Sequence, residues 1–305
     1  MDRARGEKER TEVGIDQTIL TQYASNEIIG MKLSSNVLAI DIGNTRAKFG
    51  IFHFAQNKTV EARSIETSSI VARVLNETTH LANELSTWWR TQELTSPLQA
   101  VIAGSDPETR DQLIADWPFK NCKPLVVSGY QQIPIGVDVD IPSRVGIDRL
   151  LNVFAAAQLL SEKRSVIVVD SGTATTVDLM TSDNIFRGGS ILPGLRLSAY
   201  AMHDYTARLP MINVDTEPAD LPEVPGRNTE DAMRAGLLIG QLGAVRELIE
   251  RLSMSASNRF KEISSPVVVV TGGGGRQLVS HLQDSIYIDS LALHGLSLIA
   301  LRTDQ

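Results

Sequence analysis

The chain of 305 residues has a single cysteine, Cys122, which excludes a disulfide framework and a cysteine-based zinc site. No apolar run approaches the roughly 18 residues needed to span a bilayer. Positive charge is in deficit, with 29 Lys and Arg against 36 Asp and Glu. A net charge of −7 and a pI near 5.3 argue against nucleic acid or an anionic membrane as the main partner. The charged opening, Met1–Arg10, is followed by no apolar segment and does not read as a secretory signal. A Walker P-loop and a GxGxxG fingerprint are both missing. His203 and His294 lack the spacing of a metal pair, and no Ser-His-Asp or Cys-His set can be assembled. A reducing cytoplasm is the simplest location for such a chain.

A hydrophobic content of 42% is enough for a sizeable core, and the length predicts roughly two domains. The organising stretch is Val37–Phe52, VLAIDIGNTRAKFGIF. An apolar run delivers Asp41, Gly43-Asn44 makes a tight turn, and a second apolar run follows, which predicts a β-hairpin. Backbone N–H groups and the Thr45 hydroxyl of such a turn can face nucleotide phosphates, while Asp41 reaches Mg²⁺ through water. An ordinary hairpin, in which Asp41 and Asn44 serve only the turn, is the alternative. A second copy occurs at Val166–Met180, VIVVDSGTATTVDLM, with Asp170 in the place of Asp41. The two lie about one domain length apart. Facing hairpins would grip phosphates from both sides.

Residues 1–33 differ in composition from the rest, and we expect a disordered extension or an over-long reading frame there. A first domain is expected over 34–155 and a second over 156–305. Lys58–Ser64 suggests a third strand, Ile70–Leu94 a helix, and Gln99–Gly104 and Pro124–Ser128 further strands. That order suits a ribonuclease-H-like α/β unit. In Ser143–Lys163, apolar positions from Ile147 onward define a helix face, with Asp148 and Arg149 in its first turn after Gly146. A carboxylate there complements the helix dipole, and it could equally accept a proton from a substrate hydroxyl. Arg149 could fork onto an anionic group.

Further along, Gly188–Gly194 is a Gly/Pro-rich segment that leads into a helix from Leu195. Gly226-Arg227-Asn228-Thr229 precedes a long helix running to about Leu252, with Asn228 or Thr229 as its cap. Val267–Gly275 is a buried strand ending in glycines, where adenine or ribose could lie flat on backbone, and Ser290–Leu301 reads as an amphipathic helix.

DIGNT (41–45), GIDR (146–149), DSGTATT (170–176), GGSILPG (188–194), GRNT (226–229) and TGGGG (271–275) occur in the order seen in type III pantothenate kinases. From Ser34 to the C-terminus the sequence resembles that family. The resemblance implies two ribonuclease-H-like domains around a nucleotide cleft, as in the actin-like ATPase and sugar kinase superfamily. It implies transfer of the ATP γ-phosphoryl group to the 4′-hydroxyl of pantothenate, toward coenzyme A, by a homodimer that needs Mg²⁺ and K⁺ or NH₄⁺. It assigns ATP binding to Asp41, Ile42, Gly43, Asn44, Thr45, Arg46, Ala47, Lys48 and Thr173, with Asp41 near Mg²⁺. Pantothenate binding falls to Gly146, Ile147, Asp148, Arg149 and Thr229, with Asp148 as proton acceptor and Arg149 on the carboxylate. Asp170 corresponds to a monovalent-cation ligand. Val139 stands where the family usually carries a tyrosine, which keeps an apolar contact and drops a hydroxyl. The competing readings are another small-molecule kinase of the superfamily and a nucleotide-binding accessory protein that has lost turnover.

Overall fold

The computed structural model describes residues 35–43, 46–54, 70–73, 78–91, 99–160, 163–214 and 221–302. It is built on two sheets of related topology. The first comprises β1 (Ser35–Ile42), β2 (Arg46–Phe54), β3 (Ile70–Arg73), β4 (Gln99–Gly104) and β5 (Pro124–Val127) in the order β3-β2-β1-β4-β5. The second comprises β6 (Gly136–Val137), β7 (Val166–Ser171), β8 (Ala174–Thr181), β9 (Ile185–Pro193), β10 (Val267–Thr271) and β11 (Ser285–Tyr287) in the order β11-β10-β7-β8-β9-β6. Each has an antiparallel three-strand meander, β1-β2-β3 or β7-β8-β9, extended by two parallel strands on the side of its first strand. The repeated hairpin motif thus starts each meander.

Helices α1 (Thr78–Thr91), α2 (Pro107–Ala115), α3 (Ile147–Leu159), α4 (Leu195–Asp204), α5 (Thr229–Asn258), α6 (Gly275–Val279) and α7 (Leu291–Arg302) cover both faces of each sheet. Strands buried on both sides need continuous apolar runs, and VLAI, VIVV and VVVV supply them. The period of two assigns the faces. Leu38, Ile40 and Ile102 pack with Leu85 and Trp88 of α1 and Leu113 of α2, whereas Val37, Ala39 and Val101 face the opposite way. That opposite face shares one core with α3, α7 and the Val166, Val168 and Val269 face of the second sheet. The far face of the second sheet, Ile167, Val169 and Val177, packs on Leu242 and Val245 of α5 and Leu278 of α6. Two helices therefore lie between the sheets: α3 against β7 and β8, and α7 against β1, β2 and β4.

Two local expectations change. Ile70–Arg73 is an edge strand paired with β2, and the helix occupies Thr78–Thr91. The β-branched Ile70 and Val71 favour pairing over helix, which periodicity alone did not weigh. In the Gly188–Gly194 segment all but the last residue belong to β9, and the helix follows from Leu195. Helix α7 is not amphipathic: it is buried nearly all round between the sheets. The strand expected at 58–64 falls outside the described residues.

Candidate active site between the two hairpins

Antiparallel register makes Asp41 and Lys48 cross-strand partners at the open end of the first hairpin. Asp41 is only 7% exposed, and burial pushes its carboxyl up to about 6. Lys48 pulls it back, while the charges of Asp148 and Asp170 push it further up. Lys48 is itself raised above the usual lysine range, because Asp41, Asp170, Asp289 and Asp148 outweigh its own burial. The charges of four carboxylates, from β1, α3, β7 and the segment before α7, thus act on one ammonium group.

Asp170 is the penultimate residue of β7 as Asp41 is of β1, and the two hairpins present equivalent carboxylates whose charges act on Lys48. Burial raises the Asp170 carboxyl, and Lys48 and a hydrogen bond from Asn152 Nδ2 at 2.8 Å oppose that rise. Its other oxygen lies against the glycine turn after β10. Gly272 has φ +85°, and a Cβ there would stand 2.5 Å from Asp170 Oδ1. Only glycine allows that approach.

Asp148 sits in the first turn of α3, behind Gly146 as N-cap, and its Oδ1 accepts from the Arg149 N–H at 2.9 Å. The carboxylate is half-buried, as is Arg149, while Ile147 is buried in the core. Arg149 turns onto β8, with Nε 3.1 Å from both oxygens of Asp178 and Nη2 also bonded to Oδ1.

Asp41, Lys48, Asp148 and Asp170 are therefore brought together. Ile42 and Ala47 are buried partners across the hairpin, and Gly43 is half-buried at its turn. Arg46 begins β2, and Asn44 and Thr45 lie outside the described residues. Thr173 is exposed in the second hairpin turn, where its carbonyl accepts from Gly194 N–H at 3.0 Å. Thr229 is exposed at the start of α5, where Asn228 is the cap, its side chain accepting from Asp231 N–H at 2.9 Å. The helix rises about 18 Å between Thr229 and Gln241. It is Gln241 that reaches Thr175 and the Pro193 carbonyl beside the second hairpin. Val139 packs near Gly188 on the rim of the inter-sheet core.

Asn152, Asp178 and Asp289 were missed by reading the sequence. Asn152 follows Asp148 by one helical turn on the same face, a spacing that could have flagged it. Asp178, a carboxylate inside the apolar strand VDLM, was visible as an anomaly. Asp289 carried no local signal. Among the described residues, no three His, Cys, Asp or Glu side chains converge closely enough to cage a metal. The mutual repulsion of Asp41 and Asp170 nevertheless fits cations held jointly with phosphate oxygens and water.

Paired β-hairpins opening on one acidic site between two repeated sheets define an α/β protein of the actin-like ATPase and sugar kinase fold. A crystal structure from Campylobacter jejuni, described as a conserved Baf family transcriptional activator, shares this fold. Its TM-score is 0.52 at 16% identity, covering 88% of this chain and 98% of that one. The chain belongs to the type III pantothenate kinase family, whose model matches residues 37–251. The type III pantothenate kinase of Roseobacter denitrificans is 34% identical over 86% of this chain and 96% of its own length. That of Syntrophotalea carbinolica is 30% identical over 87% and 98%. No described helix is long and apolar enough to cross a membrane.

Proposed function

We propose that the chain transfers the γ-phosphoryl group of ATP to the 4′-hydroxyl of pantothenate, a step toward coenzyme A. The observation that carries this reading is the meeting of Asp41, Lys48, Asp148 and Asp170 at one place, in a chain of this family. Phosphoryl transfer needs in-line positioning and charge stabilisation more than covalent help. The 4′-oxygen attacks phosphorus, the bond to the β-phosphate oxygen breaks, ADP leaves, and Asp148 takes the hydroxyl proton. Lys48 stabilises charge on the transferring group, and residues 41–48 with Thr173 cradle the phosphates. Asp41 would hold Mg²⁺ through water, and Asp170 would hold K⁺ or NH₄⁺; both cations supply positive charge beside the phosphates. Arg149 with Gly146 and Ile147 would receive the pantothenate end.

The working unit in this reading is a cytoplasmic homodimer. Leu197 and Tyr200 of α4, with Tyr205, Met211 and Val224 nearby, expose apolar surface that a second copy would cover. Thr229 at the same end of the fold would then meet pantothenate across the interface.

Pantothenate-dependent ADP release, measured with ATP, Mg²⁺ and K⁺, tests the reaction. Collapse of the rate when Na⁺ replaces K⁺ is expected from the Asp170 role. ADP release that pantothenate does not stimulate would refute the substrate.

A further inference from the structure

Arginine has two edges that can each grip a carboxylate: Nε with Nη2, and Nη1 with Nη2. In Arg149 the first edge is taken by Asp178. The Asp178 side chain is 2% exposed, whereas that of Arg149 is 15% exposed, so the acid is sealed and the base reaches toward solvent. Phe186 lies 5.5 Å from the guanidinium carbon and backs it with a ring face. Beneath Asp178, Gly189 leaves the needed room, since a Cβ there would lie 2.2 Å from Asp178 Oδ1. The carboxylate is therefore built into the sheet before any ligand arrives. Among the described residues, the guanidinium has hydrogen bonds to Asp178 alone.

A second carboxylate, adjacent in sequence, competes for Arg149. Asp148 precedes it in the chain and is close enough for its charge to act on Asp178. An unanchored Arg149 would fold onto Asp148 and occupy both the proton acceptor and its own free edge. We infer that Asp178 is a positioning residue: by fixing the Nε–Nη2 edge it holds Arg149 off Asp148 and dedicates the Nη1–Nη2 edge to the carboxylate of the substrate. The inference rests on the pantothenate reading above and extends it to a residue outside the substrate's reach.

Two opposing effects follow from removing the Asp178 charge. Loss of orientation weakens carboxylate recognition, whereas loss of a nearby negative charge strengthens the attraction of any anion. Orientation prevails here, because the freed guanidinium has Asp148 beside it as an alternative partner.

The test compares pantothenate with pantothenol, in which a primary alcohol replaces the carboxylate. The ratio of their kcat/KM values is insensitive to the fraction of correctly folded enzyme. Wild type is expected to favour pantothenate by roughly 10- to 100-fold, the range of one or two charge-assisted hydrogen bonds. Asp178→Asn should bring the ratio to within about threefold of unity, with KM for ATP little changed. Asp178→Glu, which keeps the charge and displaces it by a methylene, should lower the ratio about as far. In ¹H–¹⁵N spectra the Arg149 Nε–H should exchange slowly with water in wild type and fast in both variants. An unchanged or increased ratio in either variant overturns the inference, as does fast Nε–H exchange in wild type. Wild type that phosphorylates neither compound instead refutes the pantothenate reading, and the exchange measurement then still reports whether Asp178 pins Arg149.

Discussion

Asn152 donates its side-chain amide to Asp170 Oδ2 across 2.8 Å and ties α3 to the end of β7. Its own Oδ1 is buried without a hydrogen-bond partner among the described residues. The hydrogen bond lowers the Asp170 carboxyl against the upward push of burial, and so favours the ionised form that a cation would need. Asn152→Leu keeps the volume and removes the donor. A charge-assisted hydrogen bond contributes about 1.5–3 kcal/mol, so the half-saturating K⁺ concentration should rise roughly tenfold or more. Titration of K⁺ in the ADP-release assay measures this, and an unchanged midpoint would separate Asn152 from cation binding.

Asp148→Asn retains the shape of the first turn of α3 and loses the proposed proton acceptor. Turnover should fall by about 10²- to 10⁴-fold, the usual contribution of a positioned base. ATP affinity by calorimetry should stay within about twofold, because the proposed role places Asp148 at the hydroxyl and not at the nucleotide. A variant with near wild-type kcat would exclude Asp148 as the base.

Stability should carry the imprint of Asp41. Its carboxyl titrates near 6 in the fold against 3.8 in the unfolded chain. Between those values the folded state holds a proton that the unfolded state has released, so this group's contribution to stability falls as pH rises from about 4 to 6 and is level above. The loss amounts to at most about 3 kcal/mol. Asp41→Asn removes the penalty, and ligand-free variant should gain on wild type in urea midpoint between pH 4.5 and 7.5 while losing activity. A stability difference that does not change with pH would refute the burial of a carboxylate at this position. His294, in edge contact with Phe52 at 5.1 Å, runs the other way. Burial lowers it from 6.5 to about 4, so its contribution is complete above 6.5 and is lost as pH falls through that window. His294→Leu should therefore gain on wild type as pH falls from 7 to 4.5.

The exposed face of α4 gives a prediction on assembly. Tyr200 is 43% exposed and Leu197 45%. Tyr200→Asp places a charge in the proposed contact, and sedimentation should shift from dimer to monomer with loss of pantothenate-dependent turnover. A variant that remains dimeric, or a wild type that is monomeric, would place the interface elsewhere or remove it.

Much of the architecture was legible because strands buried on both faces advertise themselves. VLAI, VIVV and VVVV allow little but central sheet, and the carboxylate-glycine turns that follow mark where two of those strands end. The edge strand Ile70–Arg73 was hidden because an edge needs only a few β-branched residues, and they also fit a helical period. The buried character of α7 was likewise out of reach of local pattern, since it depends on a second sheet closing over it.

The sequence by itself determined the two hairpins, their acidic residues and the helix that follows Gly146, because each follows from short-range periodicity and turn chemistry. The tertiary structure alone decided that Asp178 grips Arg149, that Asn152 holds Asp170, and that the charge of Asp289 joins those of Asp41, Asp148 and Asp170 in acting on Lys48. Those relationships join residues far apart in the chain through register, helix phase and sheet order. No local rule encodes them, and they set which charges are paired, buried or left for a substrate.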